Sequence, residues 1–417
     1  MAVIDRTILS LLFDSIRTDL GLSDSQMALV IGTAFALSSS LFILPAGYLT
    51  DRISRRRMIA AASLIWSVMT ATCGLAGGFG QLLLARTGVG SAEAVINPGA
   101  FSMLRAALPP QRRGRGFAIY ASGIPLGGGL GLVLGAGLLH LISQHGIAYD
   151  VPGIGLLKPW RLVMLFLGLI GLPITLIMLT VHEPRRGGHS SISDGNWLAT
   201  FQHLGRRWKL FVPLFIFVVF GSMHINAYQA FMATIPVRRW GLAMTVVGRT
   251  IGLLALVGAP LGLWSTGIAM DFLTRRMGPS GPVILAIMTG VITFGVSVAT
   301  VLAATPAQYF VTLFVLFFIG GSSFAIAGNI LVSMTPENIV GKTAAVQLLL
   351  SGLIGNGLGP ALVGVISDHL SAGKGRAGLS TALGSVGSVF SLLALSGACL
   401  LLLALREKSF APSKVSE

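Results

Sequence analysis

The chain has 417 residues, 53% of them hydrophobic and only 10% charged, with a net charge of +15. Soluble domains carry roughly 25% charged residues, so this chain lacks the charge to cover a soluble protein of its size. Its basic residues fall in short clusters between long apolar runs. That pattern argues against a nucleic-acid groove and for membrane topology.

A helix crossing a bilayer needs roughly 20 apolar residues. On that measure spans run over 1–20, 25–50, 57–79, 82–107, 115–142, 161–181, 210–235, 242–270, 281–303, 307–334, 343–367 and 380–405. The 54 glycines suit transmembrane helices that pack closely on small residues. The polar stretch Glu183–Lys209 is the linker, which predicts a six-helix bundle over 1–182, a linker over 183–209 and a second bundle over 210–417. Cys73 and Cys399 sit inside apolar runs and read as small hydrophobes. Asp5 and Arg6 interrupt the start, so no cleavable signal peptide is expected.

The first span carries Asp5 and Arg6, and the fourth carries Arg86 and Glu93. Ionisable groups at membrane depth are costly and are functional candidates by default. Arg86 and Glu93 are seven residues apart, two helical turns, and Gly90 and Asn97 continue the same stripe. Asp5 precedes Asp14 by nine residues, about 14 Å along a helix, which places Asp5 near mid-bilayer if Asp14 marks the outer boundary. The four charges sum to zero, and a neutral cluster is far less unfavourable than a lone charge. Two readings follow: a static ion-pair network, or a proton switch in which the carboxylates change partner between states. Only four residues precede Asp5. The first span is therefore expected to reach from mid-membrane outward, truncated at its N-terminus, with about 15–20 further apolar residues upstream completing it.

Positive charge sets the orientation. The linker side has 19 Lys and Arg, including Arg52, Arg55, Arg56, Arg57, Arg112, Arg113, Arg206, Arg207, Arg275 and Arg276. The opposite side has seven: Arg17, Lys158, Arg161, Arg238, Arg239, Lys374 and Arg376. The linker and C-terminus are thus expected in the cytoplasm, with the chain in the inner (plasma) membrane.

Gly47, Asp51, Arg55 and Arg56 follow the second span, and Gly267, Asp271, Arg275 and Arg276 follow the eighth at a constant offset of 220 residues. A weaker echo joins Pro110, Arg115 and Gly116 to Pro336 and Lys342. The halves therefore share a framework. The segment Gly47-Tyr-Leu-Thr-Asp51-Arg52-Ile-Ser-Arg55-Arg56-Arg57 resembles the loop two–three signature of the major facilitator superfamily. That resemblance implies an all-α integral membrane fold of 12 transmembrane helices in two six-helix bundles, around a cavity that opens alternately to each side. Ile4-Asp5-Arg6, Asp19-Leu-Gly-Leu-Ser-Asp24, Ala85-Arg86-Thr-Gly88-Val-Gly90-Ser-Ala-Glu93 and Pro98-Gly-Ala100 look like the Spinster branch. Its eukaryotic members export lysolipids and sphingosine phosphate, and its bacterial members resemble proton-coupled transporters. The resemblance carries over to Asp5, Arg86 and Glu93 and implies that Asp5 and Glu93 take up the proton while Arg86 tunes them.

Further along, Ser122-Gly123-Ile-Pro125-Leu-Gly127-Gly128-Gly129 on span five resembles the Gly-Pro stretch of antiporters in the superfamily, or is a packing surface. On span seven, His224 and Tyr228 share a face, with Asn226 and Gln229 nearby; they line a cavity or bond across helices. Asn329 and Asn356 are similar candidates, with Asn97 from the fourth span. Arg249 snorkels to the interface or meets an anionic head group. The seven histidines show no metal-ligand spacing, the Gly-rich run follows no strand, and no Walker lysine occurs. No enzyme, cofactor or metal is expected. The expectation is a monomeric, proton-coupled secondary transporter moving a small organic or amphipathic, lysolipid-like solute through a lipid bilayer. Drug or metabolite efflux is the alternative, followed by a non-transporting receptor.

Overall fold

The computed structural model describes residues 2–144, 149–151, 155–183, 197–336 and 339–410. In chain order the first half contains α1 (Ala2–Leu11), α2 (Phe13–Leu20), α3 (Asp24–Ala28), a π-helical segment (Leu29–Thr33), α4 (Ala34–Arg52), α5 (Arg55–Leu75), α6 (Phe79–Ala107), α7 (Pro110–Gln144) and α8 (Pro159–Thr180). Next come α9 (Trp197–Arg206), α10 (Trp208–Phe231), α11 (Thr234–Trp240), α12 (Met244–Met277), α13 (Ser280–Leu302), α14 (Pro306–Gly320) and α15 (Ser322–Met334). The chain continues through α16 (Val340–Leu350), a second π segment (Ser351–Asn356), α17 (Gly357–Lys374) and α18 (Gly378–Phe410).

These elements make twelve membrane spans. Span one is α1 with α2, span two runs from α3 to α4, and span eleven from α16 to α17; the short helices α9 and α11 lie outside them. Ten of the described segments are long and apolar enough to cross a bilayer. The two that miss that standard are the most informative. Span one is interrupted at Leu12 and carries Asp5, Arg6, Asp14, Arg17 and Asp19; α6 carries Arg86, Glu93 and Arg105. Hydropathy discounts the two spans that hold the intramembrane charge.

Helix starts follow local chemistry. Ser23 caps α3 in a reciprocal box with Gln26, and Thr305 does the same for α14 with Gln308. Pro159 and Pro306 occupy first turns, where a missing N–H removes nothing. Interior prolines such as Pro98, Pro125 and Pro260 are accommodated within long helices, as membrane helices allow. Helices overrun the apolar windows on the basic side: α7 starts at Pro110 and α12 continues to Met277, because hydrogen bonding does not stop at the membrane surface. Between spans five and six, where periodicity gives no element, Tyr149–Val151 pairs antiparallel with Gly155–Leu157. Large apolar side chains face outward, Leu84 at 73% exposure and Ile119 at 75%, as a lipid-facing surface requires.

By contact the chain forms two compact units. The first comprises Met1–Ser190, Ala227–Val257 and Asn356–Ala382, so it contains the whole first half and parts of the second. Within it α5 packs on α8 and α6, α4 on α6, α1 on α7, and α17 on α3. Spans five and eight cross where glycine meets glycine. A Cβ on Gly129 would lie 2.9 Å from the Gly252 carbonyl oxygen, and one on Gly252 would lie 2.7 Å from that of Gly129. The Gly-Pro stretch of span five is therefore a packing surface at Gly129. The second unit comprises Ser191–Asn226, Gly258–Gly355 and Leu383–Glu417, with α13 packed on α14 and α15. Residues 184–196 of the linker lie outside the described residues, and its remainder contains α9 rather than only polar loop.

Candidate functional site

Four of the sequence-selected residues meet in the first unit. Arg86 on α6 and Asp5 on α1 form an ion pair through Nη1 and Oδ2, with 0% and 1% of the side chains exposed. Thr70 Oγ1 on α5 stands 3.5 Å from the other Asp5 oxygen. Two turns on along α6, Arg6 Nη2 donates to Glu93 Oε1 at 2.7 Å. The seven-residue spacing on α6 thus works as expected, presenting both Arg86 and Glu93 to span one. Glu93 bonds Arg6, while Arg86 bonds Asp5. Adjacent residues on α1 thus serve positions two turns apart on α6.

Local sequence explains the setting. Phe35, Trp66, Val89 and Ala92 form a buried apolar cluster beside the charges, with Met69 packed against it. The Arg6 guanidinium lies 3.7 Å from the centroid of the Phe35 ring and that of Arg86 5.8 Å. Gly90 lets α6 approach span two, since a Cβ there would lie 2.8 Å from the Phe35 carbonyl oxygen. Each ion pair rests on a single hydrogen bond between its partners. Arg86 Nε and Nη2, Arg6 Nε, Glu93 Oε2 and Trp66 Nε1 are buried with no partner among the described residues. One turn beyond Glu93, Asn97 accepts a 2.7 Å hydrogen bond from Tyr120 of α7.

The second-half candidates are not gathered in this way. His224 is buried and bonded to Ser297 Oγ on α13 at 2.8 Å, a helix-to-helix link. Tyr228 is buried, and Asn226 Nδ2 donates to the carbonyl of Ser222 on its own helix. Gln229, Asn329 and Arg249 are exposed, and Asn356 is half-buried.

The repeated loops also diverge. Gly47, Asp51 and Arg52 lie in the last turns of α4, and the Asp51 side chain is outside those described. Arg55 is buried and donates to Glu183 Oε1 and to the carbonyl and hydroxyl of Ser102 on α6. Ser54 Oγ and the Arg55 backbone N–H also donate to Glu183. Burial alone would raise the Glu183 carboxyl; these hydrogen bonds and the Arg55 charge outweigh it and hold it below the usual carboxylate range. Arg56 reaches the Val181 carbonyl at 3.5 Å. In the second copy, Asp271, Arg275 and Arg276 are exposed, and Arg276 stacks on Phe272.

A cluster that sequence reasoning missed closes the opposite end of the first unit. Arg238 on α11 grips Asp24 with both terminal nitrogens at 2.7 Å and donates from Nε to Asp14 at 2.8 Å. Ser367 Oγ also donates to Asp24, and Asp368 accepts from the backbone N–H groups of Asp24 and Ser25. Burial works against the Arg238 charge, but bonds and charges from Asp24 and Asp14 outweigh it and raise its pKa above the ordinary arginine value. The acidic residues were visible in the sequence; their partner, 214 residues away, was not.

With this geometry in place, relatives give it a context. Residues 1–360 match the Major Facilitator Superfamily. The chain is 26% identical over 394 residues to an MFS-type efflux pump of Mycolicibacterium smegmatis, covering 91% of this chain and 84% of that protein. It is 26% identical over 395 residues to human protein spinster homolog 1, covering 88% and 70% respectively. Among solved structures it resembles a bacterial homologue of the human lysosomal transporter Spinster, crystallised inward-facing and unoccupied. The TM-score is 0.78 at 25% identity, over 97% of this chain and 92% of that one. Transport of a small-molecule substrate across a lipid bilayer, not enzymatic conversion, is the work of such proteins, and this chain belongs to the Major Facilitator Superfamily as a Spinster-type multi-pass transporter.

Proposed function

We propose that this transporter is proton-coupled, with Asp5 and Glu93 as the protonated groups, Arg86 and Arg6 as their charge partners, and a small organic or amphipathic solute as cargo. The observation that carries the reading is the pair of ion pairs, Asp5–Arg86 and Arg6–Glu93, set two turns apart on span four against span one. A static strut would satisfy all its donors. Here each ion pair rests on one hydrogen bond between its partners and several buried polar atoms are unmatched, so protonating one carboxylate releases an arginine to re-pair. The binding of a proton then shifts the equilibrium between alternating states by the difference in carboxylate affinity.

The Arg238–Asp14–Asp24 cluster supports a gate at the end opposite the linker, and the Arg55–Glu183–Ser102 contacts support one at the linker end. The 19-to-7 bias of Lys and Arg supports a cytoplasmic linker and C-terminus in an inner membrane. We assign the halves 1–182 and 210–417, joined by the linker 183–209, and a monomeric working unit. His224, Asn226, Tyr228, Gln229, Asn329 and Asn356 of the second half, with Asn97 of the first, are the candidates for solute contact.

The test is uptake into proteoliposomes under an imposed pH gradient. The wild type should concentrate solute with the gradient, whereas Glu93→Gln should exchange solute without responding to it. Full gradient dependence in Glu93→Gln would remove Glu93 from the coupling role. Efflux of drugs or metabolites is the second reading, favoured by the likeness to the Mycolicibacterium smegmatis efflux pump. A panel containing both a lysolipid and cationic drugs separates the two by which solute moves.

A further inference from the structure

The linker contributes one element that no transport step uses. Helix α9, Trp197–Arg206, packs on α16. Thr200 is fully buried on its inner side, and the Lys342 ammonium of α16 lies 6.0 Å from the Trp197 ring. The side bearing Trp197, Leu198 and Phe201 is exposed. At 100° per residue, Trp197, Phe201 and Leu198 fall within one 100° arc, and Gln202, Arg206 and Ala199 fall within the next. The three apolar side chains are 47%, 56% and 59% exposed, and Trp197 stacks on Phe201 with centroids 6.1 Å apart.

A single non-helical residue, Arg207, joins α9 to α10 of span seven. The backbone N–H of Arg207 bonds the His203 carbonyl, and that of Leu210 bonds the Arg207 carbonyl. The apolar arc therefore begins at the level where α10 enters the membrane, which Trp208, 57% exposed, marks as an interfacial aromatic would. Charge completes the pattern: Arg206, Arg207 and Lys209 cluster at this junction, Lys342 stands beside Trp197 at the other end of α9, and no acidic residue occurs between Trp197 and Lys209. A protein partner would cover the arc with a complementary face, but an aromatic stripe beside a purely basic flank matches a phospholipid surface.

We propose that α9 is an interfacial anchor that beds Trp197, Leu198 and Phe201 among the acyl chains of the linker-side leaflet and binds anionic phospholipid head groups through Arg206, Arg207, Lys209 and Lys342. Because α9 rests on α16 and runs into α10, lipid charge acts directly on spans seven and eleven. The inference rests on membrane placement and not on proton coupling, so it fails or stands separately from the transport reading.

The experiment attaches a fluorophore to Leu198→Cys in the full chain. Cys399→Ser removes the exposed thiol, while Cys73 is buried and stays. The reconstituted protein is titrated with brominated phosphatidylglycerol and brominated phosphatidylcholine, and a fluorophore on Gln202→Cys serves as the polar-side control. Quenching should be strong at Leu198→Cys and weak at Gln202→Cys. Phosphatidylglycerol should be preferred, and the preference should fall about fivefold for each charge removed by Arg206→Ala and Lys209→Ala. Equal affinity for the two lipids would overturn the head-group site. Quenching by aqueous iodide instead of lipid would show the arc in water, and shielding from both would show it under protein; either result overturns the anchor.

Discussion

Arg55 and Arg275 hold equivalent places in a repeat offset by 220 residues, yet their environments are opposite. Arg55 is buried and shared between Glu183 and Ser102, whereas Arg275 is exposed. The same contrast holds at membrane depth: the first half pairs Asp5 with Arg86 and Arg6 with Glu93, and the second answers with the buried His224–Ser297 link. Duplication thus preserved the helical framework while burial of charge was concentrated in one half. A buried charge ties a structure to the state in which its partner is present.

The largest test of this contrast is Arg86→Ala. It leaves Asp5 buried without its cation, and breaking a buried pair in this way costs about 3–5 kcal/mol. Thermal unfolding in detergent should show the loss, and the neutral pair Asp5→Asn with Arg86→Gln should recover most of it without restoring gradient-driven uptake. An Arg86→Ala protein as stable as wild type would mean that the pair is ornamental.

Arg238→Ala ranks next. Among the described residues Asp14 and Asp24 would then keep Arg17, at 3.5 and 3.7 Å, as their one paired cation, with Ser367 still donating to Asp24. We expect a loss of about 2–4 kcal/mol and a raised rate of labelling at a cysteine placed near the end opposite the linker. Unchanged labelling would remove the gate assignment.

Arg55→Ala should follow at about 2–3 kcal/mol, because charged hydrogen bonds contribute about 1.5–3 kcal/mol and Glu183 and Ser102 lose a shared donor. Arg275→Ala should stay within about 0.5 kcal/mol, as exposed substitutions do. Equal losses at the two positions would show that the repeat copies do the same work.

These contrasts mark what could be read from the chain alone. The spans were legible because apolar runs of bilayer length have one stable form in lipid. Arg86 and Glu93 were legible as a shared face because helical spacing fixes it. Arg6 as the partner of Glu93 was not legible, since the rotation of α1 against α6 is set by packing around Phe35 and Gly90. The Arg238 cluster was hidden for another reason: it joins residues 214 and 224 positions apart, and nothing local announces such a contact. The strand pair at 149–157 and α9 were missed because short elements between spans carry too few residues for a period to register.

The smallest expected effect is a pH response at the buried copy of the loop. Glu183 is held below its ordinary carboxylate value by Ser54 and Arg55. A depressed native pKa adds stability that is full above the unfolded value of 4.5 and is lost as pH falls through the lower native value. The contribution stays under about 1 kcal/mol because the side chain is partly in water. Unfolding midpoints of wild type and Glu183→Gln should therefore differ at pH 6 and converge once the pH falls below the lowered native value. Arg275→Ala should track the wild type throughout, because Arg275 is exposed. If Glu183→Gln ran parallel to the wild type across that window, the loop would not depend on its carboxylate, and the difference between the two copies would rest on Arg55 and Ser102 alone.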